Sequence, residues 1–330
     1  MWPGVYMNPW IARGARGAEP GAGNGGRAYM AVEFQRVSVN TNGSFELAFS
    51  DTIKSFAIGV EDFDFKFTGN DHHLHKLSLE ISPQLNNNKI AGTVTATLND
   101  VNSGHIDNEN SSVRIVAIAI VTTDENITFT PGIAVPGGGQ IGGLALASSE
   151  CDIIASGMNG FSMGYGSGED HHIYKMTMGL GTSQSGSTGA LTAQASMVDD
   201  EGHSQEYGDI SGTLISQEAG AGLLTCETTG QLQNLYAITD NSFPVADPIY
   251  DAIGMLTAVQ VQFQGKHDHH VSRIRAGCRS LYADSEGNFG NLYYFIANPG
   301  AEIRDKTNHN VQDDDQSWVQ FNVFLLPKTD

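Results

Sequence analysis

Asp71-His72-His73-Leu74-His75-Lys76-Leu77 returns as Asp170-His171-His172-Ile173-Tyr174-Lys175-Met176 and again as Asp268-His269-His270-Val271-Ser272-Arg273-Ile274. The shared pattern is Asp-His-His-apolar-x-basic-apolar, and its copies start 99 and 98 residues apart (170 − 71, 268 − 170). Each copy follows an alternating stretch: Phe63-x-Phe65-x-Phe67, Phe161-x-Met163-x-Tyr165 and Val259-x-Val261-x-Phe263. Chance does not place a histidine pair three times at one interval, so the chain carries an internal repeat. A length of 330 residues then divides into three copies of one small domain, at 30–124, 125–222 and 223–330, each within the usual domain range.

Outward from the motif the apolar period is two. Phe45-x-Leu47-x-Phe49, Leu77-x-Leu79-x-Ile81, Val94-x-Ala96-x-Leu98 and Val113-x-Ile115-x-Ala117-x-Ala119 all alternate between Gly, Asn, Asp and Ser clusters. Such alternation marks half-buried antiparallel strands, and no stretch combines helical spacing with caps. The expected class is all-β. Six short strands are expected per copy: a lead-in strand (45–49; 143–147; 232–238), an apolar strand (Phe56-Ala57-Ile58-Gly59; Ile153-Ile154-Ala155; Ile253-Gly254-Met255) and the aromatic strand. The strand through the basic residue follows, then an alternating strand (93–98; 191–197; 292–297) and a closing apolar strand (113–121; 210–215; 318–326). Six such strands make an antiparallel sandwich rather than a parallel sheet. Gly- and Pro-rich stretches at 130–143 and 216–231 read as linkers between copies.

The formal net charge is −20, from 17 basic and 37 acidic residues. A surface this acidic repels phosphate backbones and anionic lipid, which argues against nucleic-acid and membrane partners. No apolar run reaches the roughly 18 residues a membrane-spanning helix needs. Three cysteines without Cys-x-x-Cys spacing rule out a disulfide framework and leave the redox compartment open. Residues 1–29 lack the apolar core of a signal peptide and read as a disordered leader.

A remote histidine completes each copy: His105, His203 and His309 follow the pair by 32, 31 and 39 residues (105 − 73, 203 − 172, 309 − 270). Acids lie beside them, at Asp100, at Asp199, Asp200 and Glu201, and at Asp305. His, Asp and Glu converging from two loops are the raw material of a divalent transition-metal site. The candidate ligands are Asp71, His72, His73 and His105; Asp170, His171, His172 and His203; and Asp268, His269, His270 and His309. Neighbouring residues of a strand point to opposite faces, so one ion would take one member of each pair together with the remote histidine. The structural alternative is that the Asp holds its loop, the histidine is an interior hydrogen-bonder, and Lys76, Lys175 and Arg273 pair with acids. The acidic runs Asp199-Asp200-Glu201 and Asp313-Asp314-Asp315 lack a spaced Ca²⁺ ligand set and read as solvated loops. No phosphate-binding loop, His-Glu-x-x-His or Gly-x-Ser-x-Gly elbow is present.

The stretch Phe49-Ser50-Asp51-Thr52-Ile53-Lys54-Ser55-Phe56-Ala57-Ile58-Gly59-Val60-Glu61-Asp62-Phe63 resembles the strand, apolar corner and Gly-bearing strand of the H-type lectin domain. Ser112-Val113-Arg114-Ile115-Val116-Ala117-Ile118 and Ser317-Trp318-Val319 are similar to that family's last strand. The corner proline is replaced in the first copy, the last-strand tryptophan is absent from the first two, and no sugar-binding residue carries over. The resemblance implies a six-stranded sandwich that works as a trimer. Three tandem copies would then form a covalent pseudo-trimer, with beads on a string as the competing arrangement. The expected function is non-enzymatic recognition of carbohydrate or a protein surface, with avidity from repetition. The alternatives are a structural part of a larger assembly (a virion, fibre or secreted particle) and a His/Asp metal-dependent enzyme.

Overall fold

Alternation becomes strands throughout the computed structural model, which describes residues 31–69, 72–101, 104–122, 126–166, 171–205, 207–233, 241–245, 247–265, 269–284, 293–305 and 312–328. The first third of the chain forms β1 (Val32–Asn40), β2 (Ser44–Ala48), β3 (Ser55–Lys66), β4 (Lys76–Asn86), β5 (Lys89–Asn99) and β6 (Ser112–Ile120). The second forms β7 (Ile127–Pro136), β8 (Gln140–Ala145), β9 (Cys151–Gly164), β10 (Ile173–Ser185), β11 (Thr188–Asp199) and β12 (Tyr207–Glu218). The last forms β13 (Thr225–Thr228), β14 (Leu232–Gln233), β15 (Asn241–Val245), β16 (Ile249–Gln262), β17 (Val271–Asp284), β18 (Tyr293–Asp305) and β19 (Trp318–Pro327). The protein is all-β. Its antiparallel sheets run β1-β6-β3-β17-β18-β15, β2-β5-β4-β9-β12-β7 and β13-β19-β16-β10-β11-β8, with β14 also against β19. Among the described residues no helix is long and apolar enough to cross a membrane. The leader expected at 1–29 lies outside the described residues.

Each sheet is half one third of the chain and half another. β3 meets β17, β9 meets β4 and β16 meets β10, always in the same register. Residues 62–66 run against 277–273, 160–164 against 80–76, and 258–262 against 179–175. Just before each joint the inner strand skips one residue against its own neighbour, at Glu61, Asn159 and Thr257. A bulge bends and twists a strand, which lets one strand serve its own sandwich at one end and the joint at the other. On the last rung of every joint at least one partner is a glycine: Gly277 opposite Asp62, Gly160 opposite Glu80, and Gly179 opposite Ala258.

These inner strands correct two sequence expectations. The apolar strand and the aromatic strand of each copy are one continuous element, as in β3, β9 and β16. In β3 both faces are covered, and residues 57–63 are all buried, so the run of two short patterns reflects burial on two sides rather than a turn. The sixth strand lies where none was expected. β7 lies largely in the stretch read as a linker and β13 within the other, while β8 overlaps the lead-in strand expected at 143–147 and begins three residues before it. All three stand at sheet edges, where the prolines of β7 cost no central ladder bond and glycine is tolerated. The three cysteines are free.

One hydrophobic cluster runs through all three thirds of the chain. Phe63 shows how it crosses a joint, with its ring 4.9 Å from Phe65 and 5.4 Å from Phe161. Positions 59, 157 and 255, spaced 98 apart (157 − 59, 255 − 157), also meet. Two of them are glycine and the third is methionine. A Cβ at Gly59 would lie 2.9 Å from Met255 Sδ, and one at Gly157 would lie 2.3 Å from it. The Met255 side chain fills the space in front of both glycines.

Charge is buried at the β3–β17 joint. Arg275 Nη2 donates to Asp62 Oδ2 at 3.3 Å, yet burial outweighs the guanidinium and pushes the Asp62 carboxyl up to about 6. Glu61 beside it is raised as well, also by burial, against the pull of Arg36 and Arg114. Between the ordinary value of 3.8 and about 6 the folded chain holds the Asp62 proton longer than the unfolded one. Stability is therefore full below the ordinary value and falls as pH rises through about 6. The expected loss over that window is up to about 3 kcal/mol. Urea midpoints measured from pH 4 to 7 should lose most of this slope in Asp62→Asn; an unchanged slope would remove the burial argument.

Candidate functional site

The joints carry the histidine pairs to one end of the sheets. Each joint gains one further rung: Phe67 N–H donates to Ser272 O at 3.1 Å, Tyr165 N–H to His75 O at 3.1 Å and Phe263 N–H to Tyr174 O at 3.0 Å. The pair of one third thus sits beside the aromatic strand end of another. The apolar residue after each pair (Leu74, Ile173, Val271) is fully buried, which fixes the backbone and aims the two histidines differently.

The first histidine of each pair is a packed, hydrogen-bonded interior group. His72 stacks on Phe67 with ring centres 4.6 Å apart, His171 on Tyr165 at 3.8 Å, and His269 on Phe263 at 4.0 Å. Its Nδ1 meets a carboxylate each time: Asp100 at 2.8 Å from His72, Asp199 at 2.9 Å from His171, and Asp305 at 3.6 Å from His269. Nε2 of His72 lies 2.7 Å from Thr68 O, and Nε2 of His269 lies 3.4 Å from Gly265 O. With both ring nitrogens hydrogen-bonded, His72 has none to offer a metal without breaking these bonds, and His269 is held through Nε2 with a carboxylate facing its Nδ1.

The sequence marks these carboxylates only as acids near the remote histidine, and it places Asp199 in a solvated loop, whereas the residue is buried. The available signal was a constant interval, since Asp100 and Asp199 both follow their histidine by 28 residues. The third interval is 36 (305 − 269), which hides the pattern. Burial raises the Asp199 carboxyl, but bonds from the His171 ring, the His203 backbone N–H and the His203 ring together hold it below its ordinary value.

Only the second copy brings the remote histidine to this group within the described residues. His203 Nδ1 lies 2.9 Å from the Asp199 oxygen that also meets His171 Nδ1. His171, Asp199 and His203 are close enough together to hold an ion. As arranged, both Nδ1 atoms point at one oxygen, which is a chain of hydrogen bonds rather than an open ligand set. His105 is exposed, and its carbonyl accepts from Thr68 N–H at 2.9 Å. Asp71, Asp170, Asp268 and His309 lie outside the described residues.

The second histidines converge from all three thirds of the chain. The His73 ring centre is 4.3 Å from that of His172 and 4.3 Å from that of His270. The centres of His172 and His270 are 6.4 Å apart. Nε2 of His73 and Nε2 of His270 approach to 3.4 Å. Carboxylates stand behind the cluster, with Asp200 Oδ2 3.7 Å from His172 Nδ1 and Asp305 Oδ2 accepting from His270 N–H at 3.3 Å. The sequence showed that the two members of a pair must diverge. It held no sign that three second members would meet.

The basic residue of the motif behaves as the structural alternative expects in the third copy, where Arg273 Nε donates to Asp64 Oδ1 at 2.6 Å across the β3–β17 joint. A cleft of about 340 Å³ opens beside the β4–β9 joint, lined by Phe56, Ile81, Pro83, Glu80, Asn159 and Ser211 among others. An apolar wall with a few polar groups is the usual make-up of a small-ligand site.

The fold and the site together define an all-β protein of three antiparallel sheets with a histidine cluster where the thirds of the chain meet. No protein-family model, curated protein or solved structure matches the chain.

Proposed function

We propose that this chain is a non-enzymatic recognition protein: three β-sandwich repeats closed into a covalent pseudo-trimer, presenting like surfaces to carbohydrate or to a cell-surface partner. The observation that carries this reading is the common register of the joints, 62–66 on 277–273, 160–164 on 80–76 and 258–262 on 179–175. A chain whose first third grips its last as its second grips its first has closed a ring. Closed rotational symmetry repeats every surface loop around one axis. Weak sites held at fixed spacing then gain avidity through effective concentration. The acidic surface disfavours nucleic acid and anionic lipid, whereas the cleft beside Glu80 and Asn159 offers hydrogen-bonding groups to an uncharged polar ligand.

A glycan array probed with the intact chain tests this. Binding restricted to a few related glycans, weakened at least tenfold by Asn159→Ala or Glu80→Ala, is the expected result. Silence across the array and on cell surfaces, with ordered particles in micrographs, would replace recognition by a structural role in a larger assembly.

A further inference from the structure

We infer that His73, His172 and His270 form a binding site for one divalent first-row transition ion, of which zinc is the representative, with one imidazole from each third of the chain. Nitrogen ligands at about 2.0–2.1 Å from a tetrahedral zinc stand roughly 3.3–3.4 Å from each other. Nε2 of His73 and Nε2 of His270 are already 3.4 Å apart. Imidazole centres around such an ion fall roughly 5 Å apart, and the three observed separations, 4.3, 4.3 and 6.4 Å, bracket that figure. His172 is the ring that must swing inward. Asp200 Oδ2 stands 3.7 Å from its Nδ1 and would be the carboxylate that orients a histidine ligating through Nε2.

Other histidines fit less well. His72 has both ring nitrogens hydrogen-bonded, His269 has Nε2 hydrogen-bonded and Nδ1 3.6 Å from the Asp305 carboxylate, and His171 shares its carboxylate oxygen with His203. Three imidazoles select zinc, nickel, cobalt or copper over magnesium and calcium. A neutral imidazole that ligates through Nε2 carries its one ring proton on Nδ1, so a ring protonated on Nε2 changes tautomer on binding, with no net change in protons. Leu74, Ile173 and Val271, each next in sequence to one of the three histidines, are fully buried. A three-histidine ion would leave its fourth position to water or to a ligand. Because each ligand comes from a different third, the ion would pin the ring shut.

Full-length protein without a histidine tag, stripped with chelator and titrated with Zn²⁺, tests the site. The expected results are one equivalent bound and a rise of roughly 5–10 °C in Tm at a thousandfold excess over Kd. Co²⁺ in its place should give the visible absorption of a tetrahedral nitrogen site. His73→Gln, His172→Gln and His270→Gln should each lower affinity at least a hundredfold, while His105→Gln and His203→Gln leave it unchanged. No tight equivalent in the wild-type chain overturns the inference without relying on any variant. Full stoichiometry in the triple variant overturns it too, as does loss of binding in His203→Gln, which would place the ion at Asp199. Glycan binding by a metal-free chain would leave the recognition proposal standing while this one fell.

Discussion

Gly277→Ala should destabilise the fold by about 4 kcal/mol or more, an effect at the far end of what single substitutions do. Gly277 has φ +137°, a conformation side-chain-bearing residues rarely adopt, and a Cβ there would stand 2.3 Å from Asp62 Cα and 2.4 Å from Glu61 O. Those neighbours are backbone, so no rotamer relieves the contact. β17 would have to part from β3, loosening the joint between the first and last thirds of the chain and the Arg273–Asp64 and Arg275–Asp62 pairs that span it. Gly138→Ala is the matched control. Its φ is +78° but nothing lies within 4 Å of the added carbon, so it should cost only about 1–2 kcal/mol of backbone strain. Urea midpoints of the two variants decide the point, and equal losses would mean that the joint does not bear on Gly277.

Met255→Ala should cost about 2–5 kcal/mol, the range for emptying a buried methionine site. Met255 is fully buried, and its neighbours at the equivalent positions, Gly59 and Gly157, have no side chain with which to collapse into the space. Gly157→Ala alone should also destabilise, because its methyl would meet Met255 Sδ at 2.3 Å and Cβ at 2.9 Å. The two losses should not add. In the double variant each change relieves the other, and a double-mutant cycle should return a favourable coupling of about 1–3 kcal/mol. Additive losses would show that the two residues do not share one space. Three identical chains could not make this arrangement: three glycines would leave a void, and three methionines would overfill it. A single chain can differ at each third, and here it does.

Much of the fold was legible in the residues. Alternation at Leu77-x-Leu79-x-Ile81 located the start of β4, which runs on to Asn86, and the pattern at 113–121 located β6 to within one residue, because a half-buried strand must alternate. Legibility failed where both faces are covered. Ala57 to Phe63 show no break in burial, so one strand read as two. It failed again at an edge, where Pro131-Gly132 interrupts the apolar residues of β7 and reads as a breaker. Among the histidines, the divergence of the two members of a pair followed from strand geometry alone. Their separate surroundings did not: the aromatic on which each first histidine stacks is near in sequence, but its carboxylate arrives from another strand.

The sequence by itself determined an all-β chain bearing one histidine motif three times, because side-chain period and composition are local properties of a strand. Only the tertiary structure decided which strands from different thirds pair, that glycine stands at the last rung of each joint, and that His73, His172 and His270 share one space. Those are long-range choices, set by register and by how closely backbones can approach, and no pattern within one segment encodes the partner that another segment supplies.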